Sequence, residues 1–279
     1  MDVSQDIPRP PRFLCDLYDI PSESTLFTTT TGRLRSSGKA RPYVTLTFAQ
    51  SSDAKIAGPG GTQVALSGEE SMLMTHWMRT MHDAILVGIG TALNDDPQLN
   101  VRHLPPLPAG TRLKYHLPRP VILDAHLRLR PDCKLLKNYQ ASNGRRPWVF
   151  CLPTGSQDEG FIARAETLRN AGARIFEVPG DGESLSLPAV LTVLYDNWIE
   201  SVMVEGGAKV INSFLNLARE EDVVDTLIVT QAPVRLGEDA VGYGTNILAG
   251  GGAALPDMVH VATAKMGPDN VVAFKRHRS

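Results

Sequence analysis

Cysteine, net charge and long apolar runs are all scarce in this sequence. Only three cysteines, at positions 15, 133 and 151, occur in 279 residues. An odd, scattered set cannot form a full disulfide framework, so a reducing, cytoplasmic setting is expected. No C-x-x-C is present, and no histidine is followed two residues later by glutamate. The zinc-deaminase signature is therefore missing, and no metal site is expected. With 28 basic and 30 acidic side chains the formal net charge is −2. No overall basic field points to nucleic acid or to an anionic membrane. No apolar run approaches the roughly 20 residues that a spanning helix needs. The opening MDVSQDIPRPPRF has neither the basic start nor the apolar stretch of a secretory signal. What the chain does have is a hydrophobic share of 42%, enough for a sizeable core.

Pro8, Pro10, Pro11 and Pro21, a threonine run at 28–31 and a polar stretch through Lys39 make residues 1–40 read as a loosely packed arm. A partner-binding tail is the alternative. From residue 41 to 279 no composition break divides the chain, so one domain is expected. Residues 43–49 (YVTLTFA) predict a strand. Residues 53–61 carry turn chemistry, with Gly58, Pro59, Gly60 and Gly61. In S-G-E-E, Glu70 lies three residues after Ser67, which predicts a capping box opening a helix to about residue 81. Residues 84–89, 121–124, 148–152, 174–178, 201–204 and 224–229 predict further strands. Helices are expected at 157–171, 188–197 and from the Gly-Gly pair to about 218, with residues 103–119 as a long connection. Segments 258–264 and 271–274 predict a closing pair of strands, and 249–255 (AGGGAAL) a flexible turn. The alternation predicts an α/β fold, its sheet mostly parallel and flanked by helices, with an antiparallel edge.

Two places can carry chemistry. The first is the run from Gly90 to Arg102, directly after the apolar strand 84–89. Ligands of open α/β sheets bind beyond the carboxyl ends of strands, which puts Thr91, Asp95, Asp96 and Arg102 within reach. An Asx-type turn at Asp96-Pro97 is the competing reading. The second is V-E-G-G-A-K-V-I, from Val204 to Ile211, where a strand runs through two glycines into a helix. Glycines admit close backbone approach, and the N–H groups of a helix start attract phosphate. A tight turn is the competing reading there. The pattern is neither G-x-G-x-x-G nor G-x-x-x-x-G-K-[ST]. Glu205, a carboxylate at a strand end beside a helix N-terminus, is either a cap or a functional acid.

The runs S-S-D-A-K-I-A (51–57), R-x4-A-I-L-V-G-I-G-T (79–91), T-x-L-x-D-D-P-x-L-x-V-R (91–102) and V-E-G-G-A-K-V-I-N (204–212), in this order, resemble the riboflavin-pathway pyrimidine reductases. The likeness is to their stand-alone fungal and archaeal type and covers about residues 41–275. It implies a dihydrofolate-reductase-like fold for residues 41–279, an NADPH cofactor and a homodimer. It further implies that Thr91 and Asp95 contact the cofactor. Gly206, Gly207, Ala208, Lys209, Val210 and Ile211 would wrap its phosphates. Arg79, Leu99, Arg102 and Glu205 would face the substrate. The two arginines suit a ribose 5′-phosphate, which guanidinium binds bidentately. One position departs from the bacterial pattern. After the strand ending at Asp124, Ala125 stands where a serine can serve the cofactor's 2′-phosphate, and Arg128 or Arg130 would have to replace it.

The implied reaction reduces the ribosylamino side chain of 2,5-diamino-6-ribosylamino-4(3H)-pyrimidinone 5′-phosphate to the ribitylamino form. The cofactor supplies the hydride and the protein positions and polarises. Asp95 and Glu205 are the expected acidic pair at the reacting centre, with Asp53 a weaker candidate beside its turn reading with Lys55. Two rival functions remain: a dihydrofolate-reductase-like enzyme acting on another heterocycle, and an inert nucleotide-binding module.

Overall fold

The computed structural model describes residues 7–21, 34–35, 38–110, 112, 114–153, 158–244, 246–248, 255 and 257–277. In chain order, a short helix α1 (Arg12–Leu17) precedes strands β1 (Tyr43–Gln50) and β2 (Lys55–Pro59). Helix α2 (Glu69–Met81) leads into β3 (Ala84–Gly88) and α3 (Ile89–Asp95). Then follow β4 (Arg119–Leu123), α4 (Lys134–Gln140), β5 (Trp148–Cys151), α5 (Glu159–Asn170) and β6 (Arg174–Glu177). Helix α6 (Leu187–Asp196), β7 (Ser201–Gly206), α7 (Ala208–Glu220), β8 (Thr226–Gln231) and β9 (Ala240–Gly242) come next. The hairpin β10 (Met258–Met266) and β11 (Asp269–Arg276) closes the chain.

Nine strands form one sheet in the order β10-β11-β8-β1-β7-β3-β4-β5-β6. From β8 through β6 every pairing is parallel. Only β11 runs against its neighbours β8 and β10. The expected mostly parallel sheet with an antiparallel edge is thus what the chain builds. Strand β7 arrives late in the sequence yet inserts between β1 and β3, pairing Tyr43 with Ser201 and Ile85 with Met203. The strand order reverses there, which opens a crevice beyond the carboxyl ends of β3 and β7.

Both faces of the sheet are covered, which is why its strands read as unbroken apolar runs. Leu86 and Val204 meet Leu191 of α6 and Ile211 and Phe214 of α7. On the other face Ile85, Val87 and Ile122 meet Leu136 of α4 and Leu168 of α5. Met203 and Ile228 lie under Met74, Trp77 and Met78 of α2. Helix α7 owes its existence to this packing: its apolar residues at 210, 211, 214, 215 and 218 form one buried stripe.

Four local expectations change. Within the expected loose arm, residues 12–18 are packed, because Leu14, Leu17 and Tyr18 make a short apolar stripe that docks on Trp77 and Met78. Tyr18 and His82 both meet the Thr45 hydroxyl, at 3.2 and 2.9 Å. Of the rest of that arm, residues 1–6, 22–33, 36 and 37 lie outside the described set, as do 249–254 of the expected flexible turn. The Ser67–Glu70 capping box does not form. Gly68 is the N-cap of α2 without a side-chain cap. Asp269, the first residue of β11, instead accepts the Gly68 N–H at 2.8 Å, and Glu70 accepts the Gly267 N–H at 2.7 Å. A long-range partner displaces the local one. The turn at 53–61 contains β2, which pairs with β9 in a separate two-stranded ribbon. Helix α4 was not signalled by periodicity, since its seven residues are too few to show one.

The packing of α1 carries a stability prediction. Leu14 is fully buried, so Leu14→Ala should destabilise the fold by about 2–5 kcal/mol in urea denaturation. A loss under about 0.5 kcal/mol, the range of surface substitutions, would return α1 to the periphery.

Candidate active site

Strands β3 and β7 lie side by side and hand the chain to α3 and α7 at the same end of the sheet. Glycine permits the junction. A Cβ on Gly88 would stand 2.8 Å from Val210, and one on Gly207 would stand 2.9 Å from the Thr91 hydroxyl. The Gly207 N–H donates to that hydroxyl at 2.8 Å, tying α7 to α3. The Gly206–Gly207 peptide is cis, and Gly206 has φ of +101°. No side chain caps α7 and no acid occupies its first turn. The first N–H groups of this 13-residue helix are left for an anion, and the helix dipole adds to their pull. These residues therefore fit the phosphates of a nicotinamide cofactor. The side chains of Val210 and Ile211 belong to the core, so only their backbone is offered.

Helix α3 ends at Asp95, and Asp96 turns the chain with φ of 40°. The two acids have different tasks. Asp96 accepts the Lys134 N–H at 2.9 Å and pairs with Arg130 at 3.5 Å, fastening the start of α4. Asp95 faces the cleft, and desolvation raises its carboxyl pKa above the ordinary value. Across the cleft, Arg79 of α2 makes a two-pronged bond to Glu205 of β7. Nε and Nη2 donate to the two carboxylate oxygens, each at 2.8 Å, and Nη1 donates to the Asn100 carbonyl at 2.9 Å.

The cleft has a volume of about 340 Å³. Arg79, Thr91, Asp95, Asp96, Leu99, Arg102 and Glu205, seven side chains expected from three separated segments, all line it. Gly206 through Ile211 are not among its lining residues; they continue the chain from Glu205 into the start of α7. Arg79 is not the free phosphate clamp that its sequence position suggests, because Glu205 and Asn100 take three of its five N–H donors. Asp53 lies elsewhere. It accepts from the Ser51 hydroxyl at 2.6 Å and from the N–H groups of Leu236 and Gly237 at 3.1 and 2.8 Å. The Ser51 bond first, then these backbone bonds, hold its carboxyl well below the usual range. It fastens a loop to the end of β1, in keeping with its turn reading.

Gln63, Met72, His76, Val87, Gln98 and Lys134 also line the cleft without having been singled out as site residues, and two of them carry ionisable side chains at its wall. His76 sits one turn before Arg79 on α2, and its Nδ1 accepts the Arg102 N–H at 3.2 Å. The H-x-x-R spacing on an expected helix could have revealed it. Lys134 is the first residue of α4 and lines the cleft. No motif signals it, since α4 itself is invisible in the pattern.

The model of the RibD C-terminal domain family matches residues 42–271. A protein of Eremothecium gossypii is 38% identical over 199 residues, covering 70% of this chain and 75% of its own. One of Saccharomyces cerevisiae is 34% identical over 198 residues, covering 70% and 74%. Both are named 2,5-diamino-6-ribosylamino-4(3H)-pyrimidinone 5′-phosphate reductase. The solved riboflavin biosynthesis reductase of Saccharomyces cerevisiae superposes with a TM-score of 0.62 at 27% identity, covering 87% of this chain and 93% of that one. The Acinetobacter baumannii RibD structure shares the fold, with a TM-score of 0.66 at 24% identity over 59% of its chain. The fold is dihydrofolate-reductase-like.

The buried histidines set a pH dependence. Burial, aided by the charge of Arg79, pushes His76 from an ordinary 6.5 to about 3. Burial likewise pushes His82 from 6.5 to about 4. Between those values and 6.5 the unfolded chain takes up protons that the folded chain refuses. Their stabilising contribution is complete above about pH 6.5 and is lost as pH falls toward 3–4. Urea midpoints should fall between about pH 7 and about pH 5, and less steeply in His82→Gln. A midpoint as steep in that variant as in wild type would remove His82 as a source.

Proposed function

The chain belongs to the RibD C-terminal domain family, and we propose that it reduces the ribosylamino side chain of 2,5-diamino-6-ribosylamino-4(3H)-pyrimidinone 5′-phosphate to the ribitylamino form, with NADPH, in riboflavin biosynthesis. The observation that carries this reading is the single cleft in which the Arg79–Glu205 pair, Asp95, Thr91 and Arg102 meet beside the uncapped start of α7.

NADPH, when bound, supplies the hydride. The backbone of Gly206 to Ile211 would hold its phosphates, and Lys209 adds a positive charge in the first turn of α7. The Thr91 hydroxyl already accepts the Gly207 N–H and keeps its own hydrogen to donate. Arg128, 57% exposed beside Asp124, stands nearest in sequence to Ala125 and is the candidate partner of the 2′-phosphate.

In the substrate the bond between C1′ and the ring oxygen breaks as the exocyclic nitrogen forms a double bond to C1′. A proton passes to the ring oxygen and the nitrogen gives one up. C1′ then takes the hydride and the nitrogen regains a proton. Asp95 is the group suited to deliver protons, because desolvation favours its neutral form. Glu205, held at both oxygens by Arg79, works as a fixed acceptor for a substrate hydroxyl rather than as a donor. Leu99 and Arg102 complete the substrate wall.

A homodimer accompanies this reading. The free thiols of Cys15, Cys133 and Cys151 suit a cytoplasmic location, and among the described residues no helix is long and apolar enough to cross a membrane.

Turnover is read from the loss of reduced-nicotinamide absorbance. Wild type should consume NADPH with the phosphorylated ribosylaminopyrimidine, and Asp95→Asn should lower kcat by about 10²-fold or more. A kcat near wild type would remove Asp95 as the proton donor. No consumption by wild type would remove the reading, and consumption with an unphosphorylated pterin would assign another heterocycle. Sedimentation equilibrium should return twice the chain mass of 30.3 kDa, and a single-chain mass would remove the homodimer.

A further inference from the structure

Of the two arginines expected to grip the substrate phosphate, Arg79 is already engaged: Glu205 and Asn100 take three of its five N–H donors. Two other cations line the same cleft, Arg102 and Lys134. Among the described residues neither the Arg102 guanidinium nor the Lys134 ammonium has a hydrogen-bond or ion-pair partner. The nearby acids are committed elsewhere. Glu205 is bound by Arg79, and the two oxygens of Asp96 take the Lys134 N–H and Arg130. Asp95 is shifted toward its neutral form by desolvation.

We propose that Lys134 is a specificity-determining residue that holds the phosphate end of the substrate together with Arg102. The inference rests on the reading above that the substrate carries a phosphate. Asp96 does the positioning. By accepting the Lys134 N–H at 2.9 Å it pins the first residue of α4 to the cleft wall. Its second oxygen faces Arg130 at 3.5 Å, which keeps that carboxylate from neutralising the ammonium. His76 does the same for Arg102, accepting its backbone N–H at 3.2 Å while the guanidinium stays available. A lysine ammonium is a compact charge with three donors and an arginine a planar fork, and together they can cover several oxygens of one phosphate.

The test uses inorganic phosphate as a probe and the full chain throughout. Lys134 is exposed, so substitution there leaves the core intact. Lys137, exposed on the same helix and outside the cleft lining, controls for the loss of one charge. Phosphate should raise the Tm of wild type, Lys134→Arg and Lys137→Gln, and should fail to raise that of Lys134→Gln. In turnover, Lys134→Gln should raise KM for the phosphorylated substrate by roughly 10–100-fold, with kcat within a few fold. Its KM for the dephosphorylated ribosylaminopyrimidine should match wild type. Phosphate binding and KM like wild type in Lys134→Gln would overturn the proposal, and so would an equal loss in Lys137→Gln. If wild type turns over no ribosylaminopyrimidine while the phosphate response follows Lys134, the anion site stands and the reading of the substrate falls.

Discussion

The two-pronged bond between Arg79 and Glu205 is the contact on which the cleft depends. It joins α2 to the end of β7 across 126 residues of sequence. Both groups are largely withdrawn from water, with side-chain exposures of 11% and 16%. Breaking a fully buried pair from one side costs about 3–5 kcal/mol, and water reaching this pair makes the figure smaller here. The fork geometry matters as much as the energy. It fixes the plane of the Glu205 carboxylate, and the third donor of Arg79 holds Asn100, which leads directly to Arg102. One guanidinium thereby orders an acid, a loop and a second cation.

The remainder of the site follows from the place of β7 in the sheet. Its insertion between β1 and β3 brings two strand-to-helix junctions together, and small residues let them touch. Val210 packs over Gly88, and the Thr91 hydroxyl takes the Gly207 N–H. The same contact that closes the core aligns the start of α7 with α3. Neighbouring acids then meet different surroundings. Asp96 is saturated by α4 and its flank, while Asp95 is desolvated and faces the cleft.

Much of this was legible in the chain. The apolar runs at 84–89, 121–124 and 148–152 correspond to strands because burial on both faces leaves no alternation to confuse the pattern. The segments that line the cleft were legible because strand ends followed by Gly, Asp or Thr mark turns at the carboxyl edge of the sheet. Elsewhere local signals were overruled. Ser67 and Glu70 have capping-box spacing, but Asp269 reaches the helix start first. Proline-rich flanks suggested a loose arm, whereas Leu14 and Tyr18 find Trp77 and Thr45. Seven residues hid α4, and with it Lys134.

By itself the sequence determined the nine strands of the main sheet, the major helices, the parallel character of that sheet and the segments that line the cleft. Those properties come from periodicity and turn chemistry within a few residues of each position. The tertiary structure alone decided which charges are paired and which are free. It gave Arg79 to Glu205, Asp96 to α4, Asp53 to a remote loop, and left Arg102 and Lys134 facing the cleft. Pairing depends on distances of about 3 Å between groups far apart in the chain, and composition or spacing carries no record of them.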